Sequence, residues 1–69
     1  MKLSARNILH GQVIEVRRGQ TTSMVRIDVG NGIVVTASIT NEAVDDLALK
    51  RGDVVSAVIK ASDVIVGKE

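Results

Sequence analysis

The sequence predicts an all-β domain, five strands closing into an OB-like barrel with one short helix between the third and fourth strands, from three observations. Val, Ile and Thr supply 23 of the 69 residues, and β-branched side chains suit a pleated surface better than a helix. Stretches of strict apolar/polar alternation recur along the chain, separated by glycine-containing turns. The apolar fraction is 45% with no Phe, Tyr or Trp, so the core is aliphatic throughout.

Each element has its own signal. Residues 7–17 read as a long first strand carrying apolar side chains on both faces, Ile8, Ile14 and Val16 on one and Leu9 and Val13 on the other. Gly11 in its interior suggests a bulge or bend where a small barrel turns a corner. Arg17-Arg18-Gly19-Gln20 reads as a turn. Residues 24–29 then alternate, with Val25, Ile27 and Val29 inward and Met24, Arg26 and Asp28 outward. Gly30-Asn31-Gly32 follows, and Asn-Gly between alternating runs signals a tight hairpin because both central positions of a type I′ turn need positive φ. The third strand sends Ile33, Val35, Ala37 and Ile39 inward. Thr40 or Asn41 can cap a short helix ending near Leu49, on which Val44, Leu47 and Ala48 share one face. Arg51-Gly52-Asp53 is a turn, residues 54–60 form the fourth strand with Val55, Ala57 and Ile59 inward, and Val64-Ile65-Val66 the fifth.

With no linker, charge block or proline, residues 1–69 read as a single domain. A domain this small buries only about 60% of the surface its unfolded chain exposes, and such chains usually need disulfides, a metal or oligomerisation. The absence of Cys excludes the first, and one His leaves no ordinary zinc site. Oligomerisation is the remaining route. Leu9, Val34, Val54 and Val58, apolar on outer faces, are the expected subunit contacts. The start of the chain has no apolar run suited to a signal peptide, and no stretch approaches a membrane span, so a cytoplasmic location and no membrane partner are expected.

No catalytic constellation is present, so the chain is read as a non-enzyme with no cofactor. His10 has no Ser or Cys partner in a recognisable context, and Asp45-Asp46, adjacent on a helix, do not face each other as a metal pair would. Two polar clusters stand out in aliphatic surroundings: Ser4-Ala5-Arg6-Asn7 entering the first strand, and Lys60-Ala61-Ser62-Asp63 after the fourth. Each joins a cation to a hydroxyl. If the N-terminal segment lies beside the last strands, Ser4, Arg6, Lys60 and Ser62 converge on one anion, held by charge-assisted hydrogen bonds roughly twice as strong as neutral ones. The alternative is that Arg6 and Lys60 are surface charges and the serines are turn residues.

At these clusters the sequence resembles the molbindins, small molybdate- and tungstate-binding proteins. The residues that carry the resemblance are Ser4-Ala5-Arg6-Asn7 followed by Gly11, Ile39-Thr40 leading into the helix, Arg51-Gly52, and Val58-Ile59-Lys60-Ala61-Ser62-Asp63-Val64. The resemblance implies an OB-like fold, a hexamer built as a trimer of dimers, and molybdate or tungstate held between subunits for storage, buffering or homeostasis. It implies that Ser4, Arg6, Lys60 and the Ala61-Ser62 backbone come from one subunit, and that Thr40 and Ala43, at a helix start, come from its neighbour. Ala43 departs from relatives that carry Ser there, which leaves only its backbone to contribute. A second class of site near the three-fold axis is also implied, with His10, Gly11, Gln20, Thr21 and Thr22 as candidates. For His10 a plain surface or interface role competes with an anion contact.

The rival from another class is a single-stranded nucleic-acid-binding OB module. It fits the fold but not the surface: such modules stack bases on aromatic side chains and are strongly basic, whereas this chain has no aromatic residue and a net charge of +1. No nucleic-acid partner is expected.

Overall fold

The computed structural model describes residues 4–69; Met1–Leu3, read above only for the lack of an apolar leader, lie outside the described residues. Four antiparallel strands, β1 (Asn7–Arg18), β2 (Thr22–Gly30), β3 (Ile33–Thr40) and β4 (Val54–Ile59), form one curled sheet in the order β3-β2-β1-β4. A short helix, α1 (Asn41–Asp46), joins β3 to β4, and one 3-10 turn (Ala61–Asp63) follows β4. The architecture is all-β and OB-like with one short helix, as expected, but the barrel stays open, with β3 and β4 as its edges.

The predicted fifth strand does not form. Residues 64–66 carry no strand structure, and Ile65 and Val66 are 94% and 89% exposed. An apolar run becomes a strand only where an edge is available to pair its backbone, and no edge of this chain takes up these residues.

The long first strand is shared by two partners. Its first half pairs with β4, from Asn7↔Ile59 to Gln12↔Val54, and its second half pairs with β2, from Gln12↔Asp28 to Arg18↔Ser23. Between the Val13↔Ile27 and Glu15↔Arg26 pairs the register slips, so the bulge falls at Ile14 rather than at Gly11. The slip changes which residues share a face. Val13 is buried and Val16, three residues on, packs against the same core, whereas strict alternation had placed them on opposite faces. Gly11 serves a different purpose: a Cβ there would stand 2.4 Å from the carbonyl oxygen of Asp28, so only glycine lets β2 approach this closely.

The β2–β3 hairpin turns through Asn31 and Gly32, both at positive φ (53° and 75°), as a type I′ turn demands. Val25 and Ile27 are buried, and Val29, Val35 and Ile39 pack around them as expected, but Ile33, beside the turn, is 57% exposed. Val44 is the buried residue of α1 and closes one end of the core with Leu49. The helix is shorter than predicted and Leu47 is exposed. It ends in a Schellman motif: Leu49 N donates to Val44 O (3.0 Å) and Ala48 N to Asp45 O (3.1 Å), with Ala48 itself left-handed at φ 49°. Leu9, Val34, Val54 and Val58 are all exposed in the single chain.

Candidate functional site

The two polar clusters meet at one end of the sheet. β1 and β4 pair up to the Asn7↔Ile59 rung, and the Asn7 side chain donates to Ile59 O (3.1 Å), which locks that end of the ladder. Arg6 and Lys60 are the residues that flank this last rung on the two strands. Lys60 begins the 3-10 turn, whose backbone bonds run from Asp63 N to Lys60 O and from Val64 N to Ala61 O. No side chain caps this turn, so the N–H groups of Ala61 and Ser62 at its start are left available. Ser4, Arg6, Lys60, Ala61 and Ser62 are all exposed.

Among the described residues, two of the unpaired cations lie at this end, and two more, Arg51 and Lys68, lie elsewhere. Arg17 and Arg26 pair with Glu15, Arg18 with Asp45 and Lys50 with Asp53, whereas neither Arg6 nor Lys60 pairs with a carboxylate among the described residues. Two like charges at one end of a strand ladder repel each other, and an anion near them offsets that repulsion. This end therefore suits an anion.

Thr40 and Ala43 lie elsewhere. Thr40 pairs with Thr22, next to the Arg18↔Ser23 rung, so it sits at the far end of β1 from Asn7. Thr40 is the N-cap of α1, and its Oγ1 accepts from Ala43 N (3.1 Å). That bond occupies the Ala43 N–H, the group the sequence had suggested for an anion, but the Thr40 hydroxyl keeps its own proton to donate. Within one chain, Thr40 and the Arg6–Lys60 cluster are eleven residues apart along β1, about 36 Å of strand contour.

The second set of candidates divides in the same way. His10 pairs with Ser56 across β1 and β4, with His10 Nδ1 and Ser56 Oγ 3.0 Å apart, and Gly11 pairs with Val55. Gln20, Thr21 and Thr22 lie at the other end, in the β1–β2 turn beside the start of α1. Asn41 holds them there: its N–H donates to Thr21 O (2.9 Å), and its Nδ2 donates to Gly19 O (3.0 Å) and Gln20 O (3.2 Å). Its Oδ1 in turn accepts from Ser23, a hydroxyl only 1% exposed. Sequence reading weighed Asn41 only as a helix cap and missed Ser23, because a buried serine and its partner 18 residues away leave no local pattern.

Asp45 does not act with Asp46. It makes a two-pronged ion pair with Arg18, Nη1 to Oδ1 at 2.8 Å and Nη2 to Oδ2 at 2.9 Å, and the hydrogen bonds from that guanidinium hold its carboxyl below the usual range. Among the described residues no three His, Asp or Glu side chains group as a metal site, and no helix is long and apolar enough to cross a membrane. Among the same residues no buried side-chain nitrogen or oxygen lacks a partner.

Comparison with known proteins gives a consistent set of matches. Residues 3–66 match the TOBE domain family. The chain is 42% identical to a probable molybdenum-pterin-binding protein of Haemophilus influenzae over 69 residues, all of both chains. Its fold superposes on a molybdate-binding protein from Sporomusa ovata with a TM-score of 0.93, 38% identity and 99% and 100% of the two chains covered. It superposes on the cytoplasmic molybdate-binding protein ModG, crystallised with molybdate bound, with a TM-score of 0.90 and 46% identity, covering 94% of this chain and 46% of that one.

Proposed function

The chain belongs to the TOBE domain family, in its molybdenum-pterin-binding (molbindin) branch, and from that premise we propose that it is a non-catalytic oxyanion-binding domain. It takes up molybdate, and tungstate with it, at the junction between copies of the chain, for intracellular storage, buffering or homeostasis. The reading treats residues 1–69 as one binding domain, working in the cytoplasm as a homo-oligomer, a hexamer built as a trimer of dimers.

The observation that carries the proposal is the Arg6–Lys60 pair. Two cations without carboxylate partners among the described residues flank the last rung of the β1–β4 ladder, in the same short segments as Ser4 and Ser62 and the uncapped N–H groups of Ala61 and Ser62. A dianion between them removes the like-charge repulsion and gains charge-assisted hydrogen bonds. Exposed as they are, these groups compete with water and are screened by salt in the single chain. A second copy covering this end dries the site, and the Thr40 hydroxyl, held by its capping bond to Ala43, is the group a neighbour offers.

Selectivity follows from proton parity and size. Guanidinium, ammonium and backbone N–H groups only donate, which suits fully deprotonated molybdate. Hydrogen phosphate keeps a proton at neutral pH; only the Ser4, Ser62 and Thr40 hydroxyls could accept it, and where it faces an N–H group instead that donor goes unpaired at a cost of about 1–3 kcal/mol. Sulfate is excluded by its smaller size, and tungstate, close to molybdate in size and charge, is not.

The test is calorimetric titration at known oligomeric state with molybdate, tungstate, sulfate and phosphate. Saturable uptake of the first two with little response to the others is expected, and Arg6→Ala should abolish most of it. Undiminished molybdate affinity in that variant would remove Arg6 from the site, and no heat from any anion would refute the proposal.

A further inference from the structure

Asn7 stands between the two cation-bearing segments. Its backbone forms the last rung of the β1–β4 ladder with Ile59, and it follows Arg6 directly in the chain. Its half-buried side chain donates from Nδ2 to Ile59 O (3.1 Å), a partner 52 positions away in sequence. That carbonyl belongs to the peptide unit that carries Lys60. A peptide unit is planar, so fixing its oxygen fixes the direction in which the chain enters Lys60. On the other side of Lys60 a second bond, from Asp63 N to Lys60 O (2.9 Å), closes the 3-10 turn. Lys60 is thus bracketed by two hydrogen bonds, and the one made by Asn7 comes from the segment that carries Arg6. No side chain caps the turn, so its placement on the end of the sheet depends on how the chain enters it.

We propose that Asn7 is a positioning residue of the anion site. Its side-chain amide joins the Arg6 segment to the Ile59–Lys60 peptide and so holds Arg6, Lys60 and the Ala61 and Ser62 N–H groups in one arrangement before the anion arrives. It touches no anion itself. A neutral amide does this without adding charge beside two cations, whereas a carboxylate in its place would lose the donor and an ammonium or guanidinium would add a third positive charge. Groups that orient the direct ligands of a bound ion matter nearly as much as the ligands, because a donor left mobile must be ordered at binding. The inference rests on the proposed anion site, and its test separates the two.

The first measurement is made by NMR on the unaltered, anion-free protein, in which the Asn7 side-chain amide protons exchange with water more slowly than those of a free asparagine amide. Asn7→Ala, at a concentration where its native mass matches that of the unaltered protein, then binds molybdate about ten- to hundredfold more weakly, the range seen when a group orienting a metal ligand is removed. In the anion-free variant the Ala61 and Ser62 amides exchange faster while those of Val25 and Ile27 keep their rates, which a general loss of stability would not produce. The loss is the same at low and high salt because no charge has been removed, unlike that of Arg6→Ala, which shrinks as salt screens the site. An Asn7 amide that exchanges as freely as in a short peptide overturns the positioning role whether or not the variant folds, and so does an Asn7→Ala protein of wild-type molybdate affinity. A wild-type protein that takes up no molybdate removes the anion site and this role with it.

Discussion

Replacing Gly11 by Ala should destabilise the fold more than any other single methyl addition considered for this chain. The new Cβ stands 2.4 Å from the Asp28 carbonyl oxygen, 2.8 Å from Ile27 Cγ2 and 3.0 Å from Val29 Cγ1. The first of these is the worst, because it is a backbone atom in a paired strand and has no rotamer to change. Relief requires β1 and β2 to separate locally, beside the Gln12↔Asp28 rung, next to buried Val13 and Ile27. Overpacking of a core costs about 1–3 kcal/mol and occasionally more, and a backbone clash belongs at the upper end, about 3 kcal/mol. A 69-residue domain has a total stability of roughly 3–10 kcal/mol. The variant should therefore melt more than about 10 °C lower, on the scaling of 4–8 °C per kcal/mol for domains of this size. The assay is urea unfolding and thermal melting at fixed protein concentration, since association shifts both. Gly67→Ala is the control, because its added Cβ meets nothing within 4 Å. A loss below about 1 kcal/mol at Gly11 would show that the strands yield easily and that the close approach does not explain this glycine. Weakened molybdate uptake in a variant that still folds and assembles normally would instead give Gly11 a binding role.

Three further outcomes are expected. Ala48→Gly should raise stability by about 0.5–1 kcal/mol in urea unfolding, because Ala48 holds the left-handed C′ position that favours glycine; a destabilised variant would contradict this. Asn41→Ala should cost about 1–3 kcal/mol by leaving the buried Ser23 hydroxyl without its acceptor and freeing the β1–β2 turn, and Ser23→Ala, which removes the buried hydroxyl itself, should cost less. Asp45 and Asp53 are held below the usual carboxylate range, by hydrogen bonds from Arg18 and from the Lys50 backbone respectively. A depressed folded pKa stabilises above the unfolded value, about 3.9, and that stabilisation is lost as pH falls through the folded one. Through these groups the unfolding midpoint should thus not vary with pH near neutrality and should drop below about pH 4, with a shallower drop in the Asp45→Asn, Asp53→Asn double variant.

What the sequence conveyed well was whatever is decided locally. The alternation of Val25, Ile27 and Val29, the positive φ that Asn31-Gly32 requires, the Thr40 cap and the turn at Gly52 all depend on a few adjacent residues, and all appear in the structure. The errors arose where a distant partner decides. No residue type in the stretch around Ile14 marks a bulge; it occurs where the long first strand passes from β4 to β2 and must bend. The helix stops early at an alanine in the conformation that normally announces itself by glycine, because the Schellman bonds and the Val44–Leu49 contact outweigh the local penalty. Val64-Ile65-Val66 has strand composition without a strand's partner, and hydrophobic patterning reports the first and not the second.

The candidate site shows the same division between what is local and what is not. Its two cation-and-hydroxyl clusters are visible as short motifs, and the register of β1 against β4 explains how segments more than fifty positions apart come to one end of the sheet: the ladder ends at Asn7↔Ile59, with Arg6 and Lys60 next along the two chains. The remaining donor, the Thr40 hydroxyl, is carried by the opposite end of the same strand system. No rotation of side chains spans that length. If Thr40 and Arg6 serve one anion, they must come from different chains, so the separation that makes the single chain an incomplete site becomes the requirement that ties binding to assembly. Dilution to the single chain should then weaken anion binding together with association, and an affinity for molybdate that is independent of protein concentration across that range would contradict the shared site.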